Sequence, residues 1–115
     1  MQIQILKSKL HHAVVTETEL EYVGSITIDK NLMEAVGIYE NEKVHVLNMN
    51  SGDRFETYVI EGERGKGDIC INGAAARMAQ KGDRVIIVAY GLIEEKEINR
   101  YKPKIITLNN KNQPL

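Results

Sequence analysis

The chain has one cysteine in 115 residues, Cys70, which excludes an internal disulfide and suits a reducing compartment. Net charge is nearly absent. Fifteen basic residues against sixteen acidic ones leave −1, so no global field favours nucleic acid or an anionic membrane. Long apolar runs are missing too: Val85 to Ala89 is the densest stretch, far short of the roughly 20 residues of a membrane span. The alternating start, Met1 to Lys7, lacks the apolar block of a signal peptide. A cytoplasmic protein with no nucleic-acid or membrane partner is the expectation. His11, His12 and His45 have no ligand spacing with Cys70, so no metal site is expected. Gly62, Gly65 and Gly67 are not followed by a Lys-Ser/Thr pair, which excludes a phosphate-cradling loop.

What is present is strand. The length suits one domain, and 43% hydrophobic content supplies a core. Period-two patterns run over Gln2 to Leu6 and His12 to Thr18, and Tyr22 to Ile28 is rich in β-formers. Further strands are predicted over Val44 to Met49, Phe55 to Ile60, Asp68 to Ile71, Val85 to Ile93 and Ile105 to Leu108. Two short helices fit between them. Asp29 can cap Lys30 to Val36, with Gly37 at its left-handed end, and Asn72-Gly73 opens Ala74 to Gln80. Many short strands with regular turns argue for a mainly β fold, a small closed barrel without edges. Cys70 reads as a small buried residue between Ile69 and Ile71. From Asn109 the polar tail is expected to fray.

One peptide bond stands out, Gly24–Ser25, inside the β-rich stretch. Glycine there is unfavourable unless the backbone bends or another group approaches closely. A bulge is one reading. The other is chemical: in a strained turn the Ser25 hydroxyl can attack the Gly24 carbonyl, so that the chain cuts itself. Other candidates are less sharp. Glu17, Glu19 and Glu21 fall at strand period and read as one solvated face, and Glu94 to Glu97 reads as a solvated run. Arg54, Glu56 and Tyr58 share one strand face, with Phe55, Thr57 and Val59 on the other. Arg54 offers a planar fork for a carboxylate, and Tyr58 a phenol able to give up a proton. Asn72-Gly73-Ala74-Ala75-Ala76 is a helix start of small residues, open to a ligand, or a plain cap.

Taken together these segments form a series. It runs Lys9-Leu10-His11; Tyr22-Val23-Gly24-Ser25-Ile26-Thr27-Ile28-Asp29; Gly37-Ile38; and Glu40-Asn41-Glu42. It continues with Gly52-Asp53-Arg54-Phe55-Glu56-Thr57-Tyr58; Glu63-Arg64-Gly65; Asn72-Gly73-Ala74-Ala75-Ala76-Arg77; and Gly82-Asp83 before Val85-Ile86-Ile87. In this order and spacing it resembles the pyruvoyl-dependent bacterial aspartate 1-decarboxylases, up to about Pro103. Ser8 stands where that family often has Gly, and Ser51 where its turn often has Asn; neither position touches the presumed chemistry.

The resemblance implies a six-stranded double-psi β-barrel, a single domain over 1–115. It also implies autocatalytic cleavage between Gly24 and Ser25 into 1–24 and 25–115. Ser25 would become the covalent pyruvoyl cofactor, forming a Schiff base with L-aspartate, without metal or pyridoxal phosphate. The products would be β-alanine and CO₂, for pantothenate and coenzyme A biosynthesis. By the same resemblance Thr57 assists processing, Tyr58 donates the proton, and Lys9 and Arg54 hold substrate carboxylate. Asn72, Gly73, Ala74 and Ala75 line the site, and His11 and Tyr22 support it. A homotetramer with sites between subunits is implied, and an accessory maturation factor is an open partner. Two rival readings are an amino-terminal serine hydrolase using Ser25 and a non-catalytic β-barrel binding module.

Overall fold

Alternation of apolar and polar residues becomes strand almost wherever it occurs. The computed structural model describes every residue except Val23. Strand β1 spans Gln2–Val14, β2 Glu17–Glu19 and β3 Ile26–Asp29, followed by helix α1, Lys30–Val36. Strands β4 (Lys43–Asn48), β5 (Arg54–Gly62) and β6 (Ile69–Asn72) come next, then a 3₁₀ segment over Gly73–Met78. Strand β7 spans Arg84–Glu94 and β8 Lys104–Thr107, separated by a second 3₁₀ segment, Glu95–Arg100. The sheet order is β2-β6-β3-β5-β4-β7-β1-β8. The short β2 and β8 flank it, leaving the six strands the barrel expectation requires. Because β1 runs through Val15 and Thr16 straight into β2, covalent chain joins the two ends of the order. The Thr16 N–H donates to the Ile69 carbonyl at 2.9 Å, closing the sheet around one core.

That core is aliphatic. Leu10, Ile26, Ile28, Val44, Val46, Val59, Ile69, Ile71, Val85 and Ile87 are fully buried. Helix α1 adds Leu32, Met33 and Val36, three apolar positions on one face. Its ends are those the sequence predicts: the Asp29 side chain accepts from Asn31 N–H, and Gly37 closes it at φ 73°. Among the described residues no helix is long and apolar enough to cross a membrane.

Several expectations are corrected. The two N-terminal strands are one long β1, bent by register shifts after Leu6 and Leu10. Such bulges let a strand curve without ending. The strand predicted from Tyr22 begins only at Ile26, so Glu21 lies in a turn and does not share a strand face with Glu17 and Glu19. Cys70 is half-buried, because its strand neighbours Ile69 and Ile71 take the core face. The segment after Asn72 is 3₁₀ and starts at Gly73 rather than Ala74.

The tail is ordered, and the reason is one side chain. Asn112 is 3% exposed and sits at φ 57°. Its Oδ1 accepts from Val14 N–H at 2.7 Å, while Nδ2 donates to the Val14 and Gly67 carbonyls, both at 2.9 Å. A polar tail reads as frayed only when its polar atoms have no fixed partners, and here β1 supplies them. Asn112→Ala strands three backbone groups, at about 1–3 kcal/mol each when buried. We expect a loss of unfolding free energy on the order of 3 kcal/mol in urea titrations. An unchanged midpoint would show that the tail contributes nothing.

Candidate active site

The geometry around Gly24–Ser25 follows from how β3 is held. Ile26 pairs with Val59 of the parallel β5 and with Ile71 of the antiparallel β6. Ser25 therefore leaves the ladder between Tyr58 on one side and Asn72 on the other. Two bonds from Asn72 fix it. The Asn72 N–H donates to the Ser25 carbonyl at 2.9 Å, and Nδ2 donates to Ser25 Oγ at 3.1 Å. Ser25 is fully buried and Asn72 is 4% exposed.

The backbone here is strained. Gly24 has φ 39° and Ser25 φ 97°, a region that residues with a side chain rarely occupy. Such conformations cost on the order of 1–3 kcal/mol and persist only where the surroundings impose them. The imposing neighbour is Gly73, at φ 66°. A Cβ on Gly73 would lie 2.4 Å from Gly24 N and 2.9 Å from the Tyr22 carbonyl oxygen, so only glycine allows this approach. The Gly24 N–H donates to that same Tyr22 carbonyl at 3.0 Å, tightening the turn. The Tyr58 ring covers the other side: a Cβ built on Gly24 would sit 3.7 Å from Cε1 and 3.9 Å from Oη.

A strained Gly-Ser bond with its serine buried, a donor on the hydroxyl and a phenol beside it is a candidate for self-cutting and proton transfer. A family profile described as aspartate decarboxylase matches residues 1–115. The chain belongs to the aspartate decarboxylase family. It is similar to the aspartate 1-decarboxylase of Caldicellulosiruptor bescii, 59% identical over 98% of this chain and 88% of that relative. It is likewise similar to that of Thermoanaerobacter pseudethanolicus, 57% identical over 100% of this chain and 98% of the relative. Among solved structures, the rationally designed double-psi β-barrel protein mkDPBB_sym_86 aligns with TM-score 0.51 at 24% identity. It covers 72% of this chain and 91% of its own, a likeness of fold.

Within this aspartate decarboxylase family member, the remaining sequence candidates spread over several elements. Thr57 sits on β5 beside Tyr58, half-buried on the Val59 side, while Arg54, Glu56 and Tyr58 take the exposed face as predicted. Arg54 and Tyr58 are four residues apart, or about 13 Å at roughly 3.3 Å per residue. Arg54 makes no ion pair or side-chain hydrogen bond among the described residues, which leaves its fork open for a ligand. Gly73 is buried, Ala74 is exposed, and Ala75 packs partly against the core. Tyr22 is exposed and contributes its carbonyl to the turn. Lys9 and His11 lie on β1, separated from β5 by β7 and β4 in the sheet order. Neither makes a hydrogen bond to Gly24 or Ser25 among the described residues. Burial pushes the Cys70 thiol up, which disfavours a nucleophilic thiolate there.

Sequence reasoning missed Thr27. Its Oγ1 accepts from the same Asn72 Nδ2, at 3.1 Å. The one available signal was its position two residues after Ser25 in a β-rich stretch. Also unforeseen is the histidine bulge. His11 and His12 stack at 4.1 Å, His12 adopts φ 64°, and His11 Nδ1 is sealed from solvent without a partner among the described residues.

Burial, then the neighbouring His12 and Lys9 charges, holds the His11 imidazolium below its ordinary pKa of 6.5. The unfolded chain therefore binds this proton more readily than the folded one. Native stability is fully present above about pH 6.5 and falls as pH drops through the lowered folded value. Denaturation midpoints measured from pH 7.5 down to 5 should decline over that window, and His11→Gln should flatten the decline. An equal slope in the variant would assign the decline to other groups.

Proposed function

We propose that this protein decarboxylates L-aspartate to β-alanine and CO₂ for pantothenate and coenzyme A biosynthesis, after cutting itself between Gly24 and Ser25. The observation that carries the reading is the strained bond itself, buried and held by Asn72. The family match over residues 1–115 supports it and sets aside the hydrolase and binding-module readings.

In the cut, Ser25 Oγ attacks the Gly24 carbonyl carbon. A C–O bond replaces the C–N bond, and the freed nitrogen takes the hydroxyl proton. Loss of the Ser25 α-proton then drives the electron pair of the Cβ–Oγ bond onto the departing Gly24 carboxylate. Water replaces nitrogen at residue 25, and ammonia leaves behind a ketone. The chain becomes 1–24 and 25–115 of one domain. Thr57 supports the oxyanion of the first step.

The residues present fit a pyruvoyl group at position 25, since the Asn72 N–H donates to the carbonyl of residue 25, which the group retains. That group supplies the electron sink that ordinary side chains lack when CO₂ leaves an amino acid. The rest is done by side chains. Arg54 grips the carboxylate that the substrate keeps, and Lys9 adds positive charge. Holding the departing carboxylate as firmly would stabilise the ground state more than the transition state. Tyr58 Oη delivers a proton to the carbanion, and Asn72, Gly73, Ala74 and Ala75 wall the site. His11 and Tyr22 act as support.

The reading includes a homotetramer with sites between subunits. Supporting it, Lys9 and His11 sit on a strand remote in order from β5, and Leu92 and Tyr90 are 67% and 44% exposed on the β1–β7 arm. A cytoplasmic location suits the unpaired Cys70.

Intact mass spectrometry tests the cut directly. Wild type should resolve into two fragments, the larger blocked at its amino end. Ser25→Ala should stay a single inactive chain; efficient cutting there would sink the mechanism. Fragmentation of purified protein on standing would make a separate maturation factor unnecessary. Arg54→Lys should cut normally, yet lose about tenfold or more in kcat/KM for aspartate, because a point charge lacks the fork. Undiminished kcat/KM would remove Arg54 from substrate binding.

A further inference from the structure

Asn72 has one side-chain nitrogen, and both of its hydrogens are committed. One reaches Ser25 Oγ and the other Thr27 Oγ1, each at 3.1 Å. Ser25 and Thr27 are alternate residues on one edge of the same backbone, so a single carboxamide spans both hydroxyls. Thr27 is itself held in place. It pairs with Ile60 on one side and Cys70 on the other. Its methyl lies where a Cβ on Gly62 would approach to 3.1 Å. A β-branched side chain packed this way has little freedom at χ1, so Oγ1 is fixed in position.

With Thr27 Oγ1 accepting from the Asn72 nitrogen, it is the nitrogen end of the carboxamide that faces Ser25. An Asn can present either its oxygen or its nitrogen after a half-turn about Cβ–Cγ. When the Cβ–Oγ bond of residue 25 breaks, its electron pair goes to Oγ, and the Ser25 α-proton goes to a base. An N–H aimed at Oγ stabilises that developing charge, whereas a carbonyl oxygen aimed there opposes it. We propose that Thr27 is a positioning residue for self-cutting, holding the Asn72 amide with its nitrogen toward Ser25. It acts through Asn72, and the proposal rests on the self-cutting of Gly24–Ser25 argued above.

The test follows the fraction of uncut full-length chain by intact mass over time after purification, alongside thermal midpoints. Thr27→Val keeps the shape and removes the acceptor; Thr27→Ala removes it without adding a methyl. Both should cut about tenfold more slowly than wild type, the scale of one hydrogen bond. Thr27→Ser should cut at close to the wild-type rate. Stability should rank the other way, with Val at or above Ser, because Val retains the packed methyl. That opposite ranking separates positioning from a general loss of structure. Val and Ala variants cutting at the wild-type rate, or a Ser variant as slow as Val, would overturn the role of Thr27. A wild type that never cuts, or a Ser25→Ala chain that does, would instead overturn the self-cutting reading beneath it.

Discussion

Everything at the site depends on how firmly β3 is wedged between β5 and β6. Four residues, Ile26 to Asp29, pair on both sides, with Ile26 and Ile28 fully buried. The far end is tied by one carboxylate. Asp29 accepts from the N–H groups of Asn31, Gly65 and Gly67 at 2.7–3.0 Å, joining α1 and the 64–67 turn to the strand. Charge-assisted bonds to several amides are among the stronger polar contacts a protein makes. With its far end tied, β3 cannot slide to relieve its near end.

The near end therefore takes the strain. The chain arriving from Tyr22 must turn sharply into β3, and Gly73 closes the space in which it could relax. Positive φ at both Gly24 and Ser25 is the result. On the reading proposed above, strain at this bond is chemically useful, because breaking the bond releases it. The same arrangement leaves Ser25 Oγ and its carbonyl each with one defined partner, so the reacting atoms do not wander. Bulges in β1 serve a similar end, curving a thirteen-residue strand so that it can pair with both β7 and β8.

Features carried by neighbouring residues were legible. Asp29 and Gly37 bracket α1 because capping needs only a side chain and its adjacent amides, and the split of β5 into two faces follows from period two. Arg54 and Tyr58 could be placed on a common face for that reason. Thr27 could not be singled out, since its role is set by an amide forty-five positions away. The tail misled for the same reason: Asn112 reads as a turn residue until Val14 and Gly67 are brought to it.

Residue order alone was enough for the mainly β class, the ends of α1, and, through motifs at family spacing, the kind of chemistry to look for. Local propensity and residue type act over a few positions, and a linear chain displays them openly. Tertiary structure alone decided that Gly24–Ser25 is a strained bond and not a strand bulge, because that depends on Gly73 pressing against its backbone and Asn72 gripping its hydroxyl. Strain belongs to neither residue. It arises when strands far apart in sequence are packed too closely for the turn between them to relax.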